Sequence, residues 1–198
     1  NITPATITAS ASNKTLTYNG TTTSNGTAQS CANVTVSSPS GASVTYSESQ
    51  NGTYSSTAPT LTTVGSKTIW YKVSKTNYTT TTAASYTCTM NSKAMTVSAS
   101  DKSWTYDGNA HTCSISVSDP SSGATIKYGT TSGSYTLTSA PTVTNVADSK
   151  TIYYQVTASG YTTTTGSFTC NITPATITAS ASNKTLTYNG RSEERRVG

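Results

Sequence analysis

Few side chains in this sequence could do chemistry beyond packing: four cysteines, a single histidine and seven carboxylates. His111 and Cys113 lie two residues apart, so a strand would set both on one face, as in a thiolate activated by an imidazole. Asp101, Asp107 and Asn109 follow one another closely enough to suggest oxygen ligands for calcium. Both ideas lack parts. No third residue orients the histidine, the acidic stretch has no terminal bidentate glutamate, and Asp107-Gly108 already reads as a turn. No close Cys-x-x-Cys spacing occurs, which with one histidine argues against zinc. The reading is no catalytic site, no metal and no cofactor.

The cysteines make better sense as a framework. Cys31 and Cys88 are 57 residues apart, and so are Cys113 and Cys170. Four cysteines allow three connectivities, and Cys31–Cys88 with Cys113–Cys170 is the one that repeats. Each such loop closure stabilises a thin core by about 4 kcal/mol on the chain-entropy model. Persistent disulfides imply an oxidising compartment, hence secretion or the cell surface.

The cysteine spacing belongs to a wider repetition. Residues 171–190 are identical to residues 1–20, and the half-way point matches as well: Cys31 with Cys113, Cys88 with Cys170, Tyr18-Asn19-Gly20 with Tyr106-Asp107-Gly108. The expected organisation is a β unit over residues 1–90, a second over 91–172, the opening strands of a truncated third over 173–190, and a non-native tail over 191–198. Repetition supplies an internal control, since a site serving every unit should occur in both. His111 falls on Gln29, Asp107 on Asn19, Asp101 on Asn13, Asp119 on Ser37 and Glu48 on Thr130. No acid or histidine in this set recurs, so paired carboxylates are not a repeated feature and the chain is not expected to be an enzyme.

The elements that would position these groups alternate with period two. Ile7, Ala9 and Ala11, then Val34 and Val36, then Ile69, Tyr71 and Val73 alternate with polar residues; Val97 and Ala99, Ile115 and Val117, and Ile152, Tyr154 and Val156 do so in the second copy. Such alternation in β-branched residues describes half-buried strands. Asn19-Gly20, Asn51-Gly52 and Asp107-Gly108 supply hairpin turns. The fold class is therefore all-β, a tandem of small antiparallel β-sandwiches with six to eight short strands each, a β-grasp-like unit being the alternative.

Composition sets the scale. The 198 residues include 46 Thr and 33 Ser but only 24 Leu, Ile, Val and Phe together, enough for thin units and not for one large globule. Net charge is +5, and the nine lysines are scattered, a solvated surface and no nucleic-acid stripe. All three arginines fall within RSEERRVG, residues 191–198, a run that resembles a translated sequencing adapter and is set aside. No apolar run approaches the roughly 18 residues of a membrane span. Nine Asn-x-Thr triplets mark surface loops.

YDG at 106–108, SGATIKYGTTSGSY at 122–135 and SKTIYYQVTASGYTTTTGSFTCNI at 149–172 resemble the YDG/MBG-type, Ig-like repeats of large bacterial surface proteins. The resemblance covers nearly all of residues 1–190 and implies an extracellular, tandem, all-β stalk or adhesin segment. The paired cysteines depart from the usual pattern of that family. Tyr86-Thr87-Cys88 is similar to an immunoglobulin tyrosine corner, although the second copy has Phe168 in place of the tyrosine.

Aromatic residues offer the one ligand surface. Trp70 alternates with Ile69 and Tyr71 and faces outward beside Lys72; Tyr153 occupies the matching place, and such rings could stack on a sugar. Trp104, on Leu16, reads as core. The expected function is a spacer holding a distal domain away from the cell, its partners being neighbouring repeats. The alternative is an adhesive module that binds glycan or matrix protein through Trp70 and Tyr153.

Overall fold

The computed structural model describes residues 2–20 and 26–188; the adapter-like run 191–198 lies outside the described residues. The chain is all-β. Its first half contains β1 (Thr8–Ala11), β2 (Lys14–Thr17), β3 (Gln29–Ser30), β4 (Val34–Ser38), β5 (Ser43–Ser47), β6 (Thr60–Leu61), β7 (Gly65–Ser74) and β8 (Ala84–Asn91). The second half repeats the series as β9 (Thr96–Ser98), β10 (Lys102–Thr105), β11 (His111–Thr112), β12 (Ser116–Asp119), β13 (Thr125–Gly129), β14 (Thr142–Val143), β15 (Lys150–Thr157) and β16 (Thr164–Thr173), with one 3₁₀ turn at Val146–Asp148.

Each half is organised round a four-stranded sheet, β2-β8-β7-β5 and β10-β16-β15-β13, with two-stranded sheets β1-β4 and β3-β6, or β9-β12 and β11-β14. Period-two alternation decides what faces inward: along β7 the side chains of Ile69, Tyr71 and Val73 are buried while those between them are not. Tyr18, Cys31, Tyr46, Leu61, Tyr86, Cys88, Met90 and Tyr161 complete that core, and Ile7 together with Ala9, Val34 and Val36 of β1 and β4 packs against it. Ile152, Tyr154, Val156, Phe168, Cys170 and Ile172 form the second core with Cys113, Tyr128 and Val143. Disulfides Cys31–Cys88 and Cys113–Cys170 tie the cores, with Cα–Cα distances of 5.7 and 6.2 Å.

Pairing differs from the sequence expectation in one place per half. β2 runs parallel to β8, with Leu16 opposite Met90, and β10 runs parallel to β16, with Trp104 opposite Ile172. The Asn19-Gly20 and Asp107-Gly108 turns therefore leave a parallel pair and close no hairpin; a parallel partner must be reached by a long connection. Asn51-Gly52 also closes no two-residue hairpin, since Gly52 N–H donates to the Ser49 carbonyl at 3.2 Å within the connection from β5 to β6.

One register needs correcting. Ser38 pairs with Thr8 and Asp119 with Thr96, which are equivalent positions, and the Ser38-Pro39 and Asp119-Pro120 peptides are both cis. Asp119 therefore corresponds to Ser38, one residue along from Ser37; the cysteine-based alignment slips by one within β4.

The duplicated segment takes two forms. Residues 8–17 make β1 and β2, whereas residues 174–188, identical to 4–18, form no strand and are exposed. Tyr18 is 4% exposed and its duplicate Tyr188 is 83% exposed. The reverse holds at the segment's start, where Ile172, the last inward residue of β16, is buried and Ile2 is fully exposed. Identical residues thus follow the presence of partner strands, as expected when packing outweighs β-propensity.

Candidate functional site

The structure breaks the expected His111–Cys113 couple and joins His111 to Asp107 instead, an orienting residue that the sequence reading did not find. Cys113 is buried in its disulfide, so no thiol remains beside His111. The imidazole stacks on Trp104, with ring centroids 4.8 Å apart and planes at 20°, and its Nε2 lies 3.0 Å from Asp107 Oδ1. Trp104 is half-buried against the second core, so it is both a core residue and the histidine's support. Asp107 also accepts from the Asn109 N–H at 2.9 Å and from the Asn109 carboxamide at 3.1 Å. Those two bonds, and then the His111 ring, pull its pKa down to about 2. Asp101 accepts from the Thr169 N–H at 2.7 Å, the role Asn13 has toward the Thr87 N–H at 2.9 Å. Asp101 and Asp107 thus have separate backbone duties, and among the described residues no group of three His, Cys, Asp or Glu side chains gathers.

The outward aromatics lie at equivalent places on the two four-stranded sheets. Trp70 of β7 stands between Ser47 of β5 and Ser85 of β8, and Tyr153 of β15 stands between Gly129 of β13 and Ser167 of β16; both are partly accessible. Sequence reasoning missed Tyr54, whose ring lies 4.3 Å from Lys72 Nζ and whose hydroxyl donates to the Gln50 carbonyl at 2.9 Å. Cation–π contact thereby occupies the lysine beside Trp70. The second sheet has Gln155 at the place of Lys72, opposite Lys127.

A denser arrangement lies where the halves meet. β8 ends at Asn91, whose carbonyl accepts from the Tyr18 N–H at 2.9 Å. Two residues on, the Lys93 N–H donates to the Gly160 carbonyl at 3.0 Å and the Lys93 carbonyl accepts from the Thr162 N–H at 2.8 Å. Lys93 Nζ is 2.7 Å from Asp119 Oδ2 and 5.5 Å from the centroid of the Tyr161 ring, and the Tyr161 hydroxyl donates to Asp119 Oδ1 at 2.9 Å. The rings of Tyr161 and Tyr18 meet edge to face, 6.2 Å apart at 76°. A cleft of about 270 Å³ opens beside them, bordered by Asn19, Lys93, Asp119 and Ser122.

Charges in this joint reinforce one another. The hydrogen bond from Lys93, then that from Tyr161, holds the Asp119 carboxyl below its ordinary pKa, and the bond to Asp119 raises that of Lys93. Desolvation and then Asp119 raise the Tyr161 hydroxyl. Tyr161 belongs to the core of the first half although it comes from the second, and Met95 packs against both cores. Sequence reasoning missed Asp119 and Tyr161 as anchors of the segment between the halves.

No family model and no curated protein matches the chain. Solved structures similar to this chain include cadherin, titin and immunoglobulin domains. The titin Z1Z2 domains solved in complex with telethonin are 12% identical over 89% of this chain and 100% of theirs, with a TM-score of 0.45. Drosophila N-cadherin EC1-3 is 10% identical over 88% and 69%, with a TM-score of 0.34. The Sidekick-1 immunoglobulin domains 1-5 are 11% identical over 85% and 42%, with a TM-score of 0.29.

Proposed function

We propose that this chain is a spacer segment of an extracellular surface protein, built from stacked β units over residues 1–90 and 91–172 and the opening of another over 173–190. The resemblance of its YDG, SGATIKYGTTSGSY and SKTIYYQVTASGYTTTTGSFTCNI runs to YDG/MBG repeats supports a bacterial stalk or adhesin as the parent. Two disulfides support an oxidising, extracellular setting. The observation that carries the spacer reading is the joint. Lys93, between the two halves, is fixed on both sides of its backbone by Gly160 and Thr162 and through its ammonium by Asp119. A linker held at successive residues transmits orientation from one unit to the next, which a flexible tether would not.

Small-angle scattering of the oxidised protein tests this. A rigid two-unit profile at neutral pH and low salt supports a spacer; a broad distribution of inter-unit distances overturns it.

A second reading keeps its own observation, the matched and partly accessible Trp70 and Tyr153. We infer that an adhesive role would place glycan or matrix protein on these faces. An array screen comparing the native chain with a Trp70→Ala, Tyr153→Ala double variant separates the readings. Binding lost in the variant favours adhesion, and no binding by folded native protein favours the spacer.

A further inference from the structure

Equivalent tyrosines at the ends of the two halves differ in state. Tyr18 is 4% exposed beneath Tyr161, while Tyr106, its counterpart, is 43% exposed. The approach to both is the same: the Tyr18 N–H donates to the Asn91 carbonyl at 2.9 Å, and the Tyr106 N–H donates to the Thr173 carbonyl at 2.8 Å. Beyond Thr173, residues Pro174 to Ile177 border, with Tyr106 and Val146, an open cavity of about 580 Å³. At the internal joint the equivalent tyrosine, Tyr18, lies against the corner Gly160-Tyr161.

That corner has a steric requirement. Gly160 lies at φ +78°, and a Cβ on it would run into the Tyr18 ring. The first half has an equivalent corner, Asn77-Tyr78, fixed by the same pair of bonds: the Ala5 N–H donates to the Asn77 carbonyl at 3.2 Å, and the Thr79 N–H donates to the Ala5 carbonyl at 2.8 Å. Asn77 has nearly the same backbone, with φ 69°, but carries the Cβ that Gly160 lacks. Ala5 and Ser38 stand where Lys93 and Asp119 stand in the second half, so the ion pair is missing too.

We propose that Tyr106 and the cavity beside it form a docking surface for a further β repeat, and that glycine at the Gly160 position admits one repeat's tyrosine onto the next. A repeat whose corner reads Gly-Tyr seats on this end; one whose corner reads Asn-Tyr, such as the first half of a second copy, does not. The proposal rests on the reading of the halves as stacked units and adds a rule for which unit follows which.

The duplication of residues 1–20 at 171–190 makes the test direct, because residue 190 of one copy can continue as residue 21 of another without changing the sequence at the junction. Tyrosine nitration by tetranitromethane, read by peptide mass spectrometry, reports exposure, with Tyr18 as the protected control and, in the single chain, Tyr188 as the open one. In the joined protein with Asn77→Gly in its second copy, Tyr106 of the first copy becomes about tenfold less reactive than in the single chain. With Asn77 retained it stays reactive. In the single chain, Gly160→Asn raises Tyr18 reactivity by about tenfold; asparagine tolerates this backbone, as Asn77 does, so the unit still folds. Protection of Tyr106 in neither joined protein overturns the docking surface. Protection in both, or an unreactive Tyr18 in Gly160→Asn, overturns the glycine rule. Scattering from the joined protein tests the spacer separately, since a rigid particle with reactive Tyr106 would refute docking and leave the spacer standing.

Discussion

The Tyr86 hydroxyl donates a buried 2.5 Å hydrogen bond to the carbonyl of Cys31, the residue whose sulfur is bonded to Cys88 two positions further along the same strand. One end of the disulfide is thus held twice from β8. In an immunoglobulin tyrosine corner the hydroxyl returns to backbone a few residues upstream; here it crosses the core to a residue 55 positions away. The second half has Phe168 in this place, packed at 6.4 Å from Tyr154, as Tyr86 packs at 6.1 Å from Tyr71.

Removing that hydroxyl should destabilise only the first half. Tyr86→Phe leaves the Cys31 carbonyl without this partner in a buried place, at a cost of about 1 to 3 kcal/mol. Urea denaturation followed by hydrogen exchange on each half checks it, with the second half expected to be unchanged.

High pH should act on the same bond. Burial, with Tyr46 and Tyr71 nearby, pushes the Tyr86 pKa up to about 12. A raised tyrosine pKa means the folded state holds the proton more tightly, so its contribution is complete below the unfolded value near 10. It is lost as pH rises from there through about 12. The first half is expected to loosen over that window in native protein and to lose this component in Tyr86→Phe, as read by absorbance at ~295 nm.

Each disulfide should stabilise its own half. The Cys31→Ala, Cys88→Ala double variant, which leaves no free thiol, is expected to cost about 2 to 5 kcal/mol in the first core and nothing in the second. Separate melting of the halves in the variant, against native protein, is the measurement; a uniform shift of both would show that the cores unfold as one.

Acid should open the joint. Asp119 has a lowered pKa, so its contribution is present above the unfolded carboxylate value and is lost as pH falls through the depressed one. Protection of the Lys93 and Thr162 amides, relative to their intrinsic exchange at each pH, is expected to fall below about pH 4 and to be low at all pH values in Asp119→Asn. Both partners are more than one-third exposed, so high salt should act in the same direction.

Cutting the duplicated segment at its two ends should have opposite results. Deleting residues after 173, of which 174–188 are exposed and form no strand, should leave melting unchanged. Deleting residues 1–18 removes β1 and β2 and should unfold the first half, as circular dichroism would show.

The inward faces were legible in the sequence because a strand has period two: Ile69-Trp70-Tyr71-Lys72-Val73 declares its buried side without any partner being known. The cysteine pairs were legible because each half repeats the other. The parallel partnership of β2 with β8 was not, since nothing local to Lys14–Thr17 names a strand some seventy residues away. Neither was the joint. Comparing the copies discards any residue that occurs once, yet two repeats share only one joint, so Asp119 and Lys93 were bound to lack counterparts. The filter that argued against a site in every repeat also hid the contact between repeats.

The parallel pairing also governs how the chain bears tension. Force entering before Lys14 and leaving after Asn91 draws β2 and β8 in opposite directions along their length, so their hydrogen bonds are loaded together in shear. An antiparallel hairpin pulled at its open end would unzip one bond at a time. Once that pair slips, Cys31–Cys88 carries the load directly from one strand region to the other, and everything enclosed between the two cysteines is shielded from extension. The second half repeats this with β10, β16 and Cys113–Cys170. Each half is thus a short tether with a covalent stop, and its extension under load is limited to the residues outside the disulfide.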